Sequence, residues 1–171
     1  MKHLILTGFV LGFASLSAAA QDPLSLGGDA DILIVAEKAT YKGRETLLQG
    51  QVDVRQGKAQ ILSDRMKIFR DPADDSSTPG VELGAVSRIE AEGNFVYITP
   101  ENRVTGDRGV YVKQTGVITV TGNVKVRQPG GNSATTDKLI YNVNTDTIRF
   151  AGNCIGADCK DRPTIRIGNG N

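Results

Sequence analysis

After residue 30 apolar and polar residues alternate repeatedly along the chain, and almost nothing has a helical period. In Ile118–Arg127, Ile118, Val120, Val124 and Val126 fall on one face, while Thr119, Thr121, Asn123, Lys125 and Arg127 fall on the other. This alternation predicts a half-buried strand, wet on one side. Its β-branched content and the Gln128-Pro129-Gly130-Gly131-Asn132 turn cluster that follows agree with that reading.

The strand is one copy of a repeat. The same frame, centred on a glycine, recurs at Leu48–Gln56 about Gly50, at Ile89–Tyr97 about Gly93 and at Ile148–Cys154 about Gly152, beside Gly122 in the first example. Between these lies a second unit, an acid followed four residues later by a large apolar or aromatic residue: Glu37 and Tyr41, Asp64 and Ile68, Asp107 and Tyr111, Asp137 and Tyr141. Gly50 to Asp64 and Gly93 to Asp107 are both 14 residues, and Gly122 to Asp137 is 15. The exception is the 29 residues from Asp64 to Gly93, whose excess falls on the breaker-rich Asp71–Gly80, so a mobile loop is predicted over about 71–87.

Short antiparallel strands in registered pairs predict an elongated all-β body in which each unit touches chiefly its neighbours. Parity assigns the inside to Leu48, Val52, Val54, Met66, Ile68, Ile89, Phe95, Tyr97, Tyr111, Ile118, Val120, Val124, Val126, Leu139, Tyr141, Ile148 and Phe150, a set without a charge. With no helix to cover the apolar face, two such faces must oppose one another or close over a ligand, which predicts a partly open trough. Tyr111 and Tyr141 either line that trough or close its base. The two ends of the array leave strand edges unpaired, one near Asp31–Val35 and one near Asp146–Phe150, and such edges invite another copy.

Composition then narrows the chemistry. The chain has 171 residues, with 20 Lys and Arg against 19 Asp and Glu, the size of one ordinary domain. Near-neutrality makes it a poor partner for nucleic acid. Lys2 and His3 open a basic start, Leu4–Leu16 is a mostly apolar run of 13 residues, and Ala18-Ala19-Ala20 supplies the small residues of a cleavage site. Such a run is too short to span a bilayer, which needs about 20 residues. Residues 1–20 therefore read as a cleaved secretory signal peptide, residues 21–153 as the domain, and 154–171 as a tail. His3, the single histidine, leaves with the leader, which excludes Ser-His-Asp triads and His-ligated metals from the mature chain. No metal site or cofactor is predicted. In an oxidising compartment, Cys154 and Cys159 are expected to close a short disulfide loop contributing roughly 2 kcal/mol.

The frames Ala36–Tyr41, Leu47–Gln56 and Thr121–Gln128 resemble the OstA-like domain family of periplasmic lipopolysaccharide-transport bridge proteins, the LptA family, over about Ile32 to Gly152. The resemblance implies a V-shaped β-jellyroll, open at both ends, that binds the acyl chains of lipid A in an apolar groove and performs no chemistry. It implies head-to-tail self-association and contact with LptC at the inner membrane and LptD at the outer membrane. The inward residues above, joined by Ile32 and Ile34, occupy the groove-facing parity. The cysteine loop departs from the family pattern, and puts unlimited stacking in doubt.

Other readings keep less of the pattern. A β-helix hydrolase would use paired carboxylates such as Asp64, Asp107 and Asp137, but an acid repeated at every level is expected to be a turn residue bonding its own backbone. A third reading keeps the fold and changes the job, to an OstA-like scaffold or a carrier of a different lipid in an LptC-like role; an LptC would retain an anchor, and an LptD would continue into a large barrel. Arg55, Lys125 and Arg127 are read either as solvated outer-face charges or as a basic patch for phosphates.

Overall fold

The computed structural model describes residues 31–72, 85–145, 147–152 and 162–168. The leader, most of the predicted loop, both cysteines and Asp146 lie outside the described residues. Among the described residues ten strands form one antiparallel sheet: β1 (Ile32–Val35), β2 (Lys38–Lys42), β3 (Glu45–Gln56), β4 (Ala59–Arg70), β5 (Val86–Ile98), β6 (Arg103–Val112), β7 (Val117–Arg127), β8 (Ser133–Asn142), β9 (Thr147–Ala151) and β10 (Thr164–Arg166). The all-β architecture expected from the alternation is what the chain adopts, with two one-turn 3-10 segments at Lys113–Thr115 and Pro129–Gly131. Strand β5 begins at Val86, inside the stretch assigned to the loop, and the Asp71 N–H donates to the Ala85 carbonyl at 2.9 Å to close its base.

Each of the six long strands, β3 to β8, is broken at its middle, so the sheet consists of two arms. In one arm β3 pairs with β4 through Glu45–Gln49 and Arg65–Phe69; in the other, Val52–Gln56 pairs with Ala59–Ser63. The same division runs through every ladder, with β2 and β9 flanking the first arm and β1 and β10 flanking the second. Each sheet edge is thus built from two short strands. The segment read as a tail contributes β10, which pairs with Ser133–Thr135 of β8 and extends the second arm.

The glycine frame and the acid frame meet at the break. Gly50 and Gln51, Gly93 and Asn94, and Gly122 and Asn123 are consecutive residues in the left-handed region, with φ of 76° and 43°, 76° and 47°, and 75° and 49°. Asparagine tolerates that region better than other residues with a side chain, and glycine enters it freely. Each pair inserts one extra residue into β3, β5 or β7 relative to its neighbours, a bulge that bends the sheet. The acid of the preceding frame then clamps the bend. Asn94 Nδ2 donates to Asp64 Oδ2 at 2.9 Å, Asn123 Nδ2 donates to Asp107 Oδ2 at 2.9 Å, and Gln51 Nε2 reaches Glu37 Oε1 at 3.4 Å. The acids were expected to bond their own backbone; instead Glu37, Asp64 and Asp107 each take an amide from the next glycine strand. The next position in the series, Asn153, lies outside the described residues.

A side chain at these glycines would meet the clamp. An added Cβ on Gly122 collides with the Asp107 carboxylate, besides holding a φ that L-residues avoid. Gly122→Ala is expected to lower stability by about 3 kcal/mol in chemical denaturation. Gly130→Ala, at φ 79° with nothing within 4 Å, is expected to cost only about 1 kcal/mol. Equal losses would mean that the clamp has no steric role.

Candidate functional site

The extra residue on the glycine strands decides which side chains point inward. Around the bend, inward residues on β3, β5 and β7 are four apart: Leu48 and Val52, Ala91 and Phe95, Val120 and Val124. On β4 and β8, which lack the insertion, they are three apart: Ser63 and Met66, Thr136 and Leu139. A strict period of two therefore finds the inward face of the glycine strands and only half of each acid strand. It misses Ile61, Val104 and Ala134, all buried. The signal lay in the sequence, since the acid marks where parity switches. Thr46, Gln56, Ser63, Thr99 and Thr136 are also buried, so the interior is not purely aliphatic and aromatic, though it holds no charged group among the described residues.

Fifteen of the expected inward residues are buried: Leu48, Val52, Val54, Met66, Ile68, Ile89, Phe95, Tyr97, Tyr111, Ile118, Val120, Val124, Val126, Leu139 and Tyr141. Ile34 and Phe150 are half-buried against this cluster. Ile32 and Ile148 remain 41% and 39% exposed, because each sits on an edge strand at one end of the array.

The two arms close on one another. The Phe95 ring, from the second arm, covers Gly109 of the first, where a Cβ would collide with it. Val120 of the first arm covers Gly106 of the second in the same way. Glycine at these β6 positions is what permits the close approach. Leu48, Met66 and Ile68 are fully buried. Toward the β9 edge the packing loosens into a cavity of about 50 Å³, lined by Ile118, Val120, Leu139, Tyr141 and Ile148 from the first arm, by Tyr97, Val104 and Val126 from the second, and by Asn102. The space is small and its lining is mostly apolar. A smaller cavity, about 10 Å³, lies along Ile61, Ile89, Phe95, Tyr97 and Tyr111. Tyr111 and Tyr141, which the sequence left between lining and closing the interior, thus line these two spaces while being buried themselves.

The outer face carries the charge. Arg55 pairs with Asp53 at 2.6 Å, and Asp53 also accepts from Gln60 Nε2 at 2.9 Å. The Arg55 hydrogen bond holds the Asp53 carboxyl below its usual range. Arg88, Glu90, Arg108 and Glu92 form a second outer network across β5 and β6. Strands β4, β5 and β6 separate Arg55 from exposed Lys125 and Arg127, so these three do not form one basic patch. Exposed large hydrophobics lie instead on the sheet edges: Ile32, Leu33, Val35 and Tyr41 at one, Ile148 and Ile165 at the other, with Ile167 just beyond β10.

Burial pushes the Tyr97 hydroxyl well above the ordinary tyrosine value of 10.0, with smaller contributions from Tyr141, Glu101 and Tyr111. A raised tyrosine pKa means that the native state keeps a proton the unfolded state gives up. The linked stability is whole below pH 10 and is lost above it, at up to about 1.4 kcal/mol per pH unit for one group. Unfolding followed between pH 9 and pH 12 is expected to show that decline, and Tyr97→Phe is expected to reduce it.

The model of the LptA/(LptD N-terminal domain) LPS transport protein family matches residues 33–147. Among solved structures, the fold is similar to the crystal structure of LptH, the LptA-homologous periplasmic component of the lipopolysaccharide transport device of Pseudomonas aeruginosa. The TM-score is 0.64 at 16% identity, covering 81% of this chain and 95% of that one. A search of curated proteins finds no match. The family consists of non-enzymatic transport proteins. With a family match from β1 into β9, and a bent open sheet of the LptA type, the chain belongs to the LptA/(LptD N-terminal domain) family of lipopolysaccharide transport proteins.

Proposed function

We propose that this protein is a periplasmic carrier that holds lipid A acyl chains between the two arms of its sheet and forms part of a bridge for lipopolysaccharide. The observation that carries this reading is the inner face itself, continuous from β3 to β9, free of charge and closed by contact between the arms. Each methylene moved from water onto such a face contributes about 0.8 kcal/mol, so a multi-chain lipid can cross an aqueous space on it while sugars and phosphates stay in water. The interior opens at the cavity between Tyr97 and Tyr141 beside the β9 edge. The groove comprises the inward set, with Ile32 and Ile148 at its two mouths.

The edges supply the bridge. Exposed Leu33, Val35 and Tyr41 at one edge and Ile165 and Ile167 at the other are apolar surfaces beside unpaired backbone. Because these edges differ, copies add head to tail and the contact propagates instead of closing into a dimer. By the same strand addition the terminal edges meet LptC at the inner membrane and LptD at the outer membrane. The signal peptide and the Cys154–Cys159 disulfide belong to the same periplasmic reading.

Photo-crosslinking residues placed singly at Val54, Phe95 and Ile148, and at outward Asp53, Asn94 and Arg149, check it in cells. Lipopolysaccharide adducts are expected at the first three and absent from the others. Adducts at both sets, or at none, would contradict an acyl-binding interior.

A further inference from the structure

Among the described residues, the Tyr97 hydroxyl is the buried side-chain polar atom that has no hydrogen-bond partner. The residue is 4% exposed. Its cross-strand neighbours, Ile61 on β4 and Val104 on β6, offer it nothing polar. Asn102 lines the same cavity, but its carboxamide oxygen accepts from Gln128 Nε2 at 2.9 Å and its N–H donates to Thr99 Oγ1 at 3.0 Å. Burying an unpaired hydroxyl is unfavourable, and phenylalanine would fill the same volume without one. The chain uses phenylalanine two residues earlier on the same face, at Phe95.

Tyr97 also lines both cavities, the larger toward Tyr141 and the smaller toward Tyr111, so it stands where the two spaces meet. A chain entering between the arms and running from one space to the other must pass this side chain. We infer that Tyr97 is a specificity-determining residue that donates a hydrogen bond to an oxygen borne on an acyl chain, a hydroxyl or an ester carbonyl, and so favours oxygen-substituted chains over plain ones. This rests on the carrier reading above and adds to it a preference within the acyl class. Where the lining is mostly apolar, a donor without a partner discriminates between ligands of nearly equal hydrophobic area.

The test measures the dissociation constants of lauric, β-hydroxylauric and ω-hydroxylauric acid for the full mature chain and its Tyr97→Phe variant, by displacement of a fluorescent fatty acid. The wild type is expected to prefer one hydroxylated acid over lauric acid, after correction for their different partition into alkane, by about three- to tenfold. Tyr97→Phe is expected to abolish that preference, so that the three acids then rank only by their partition into alkane. Thermal unfolding of the variant is expected at a Tm no lower than that of the wild type. Binding without discrimination, or a preference that survives in Tyr97→Phe, overturns the inference and leaves the carrier reading standing. A lowered Tm with unchanged preferences would show that the hydroxyl is satisfied by a buried water, and overturns it as well. Failure of the wild type to bind any of the acids, or lipopolysaccharide itself, removes the carrier reading and this inference with it.

Discussion

Six long strands have to change direction at their middles without leaving the sheet's interior ladders unpaired, and the rest of the molecule depends on how that is done. The solution is a bulge of two left-handed residues on every second strand, glycine first and an amide residue second, held by a carboxylate from the strand before it. The amide and carboxylate satisfy one another at the exposed outer corner, so the bend costs no buried polar group. Because the insertion sits at the same level on β3, β5 and β7, the bends align and the sheet folds along one line. Its two inner faces are thereby brought together, and Phe95 over Gly109 and Val120 over Gly106 set how closely they approach.

The same device explains what could be read from the sequence. On β7 the three residues between Val120 and Val124 preserve the even parity across the bend, so alternation alone recovers Ile118, Val120, Val124 and Val126. On β4 only two residues separate Ser63 from Met66, parity flips, and Ile61 falls on what looks like the wet face. The acid frame was visible as a repeat but was assigned to local turns, because its partner lies on a neighbouring strand 14, 30 or 16 residues away. Edge strands carried the weakest signal. Among the described residues exposed β2 and β10 pair along one side only, so neither needs an apolar face, and Thr164–Arg166 reads as tail until its pairing with Ser133–Thr135 is seen.

Closure of the arms gives the interior two properties at once. Around Leu48, Met66 and Ile68 it is a fully buried apolar core. Toward β9 the packing loosens at the cavity, and the aromatic residues there present large apolar area with hydroxyls on Tyr97 and Tyr141. An acyl chain is much larger than about 50 Å³, so binding in the proposed groove requires the arms to part at that end while the clamped corner stays fixed. In the proposed function the corner is the hinge line and the inner face is the binding surface.

The most direct measurement of this account is the distance between the arms. Spin labels at Lys125 and Arg149, both exposed and on opposite arms near the cavity, report it by pulsed electron resonance with and without lipopolysaccharide. The account predicts a longer distance when lipid is added, and no change for a pair confined to one arm. An unchanged distance under saturating lipid would contradict it, and would place binding outside the folded sheet.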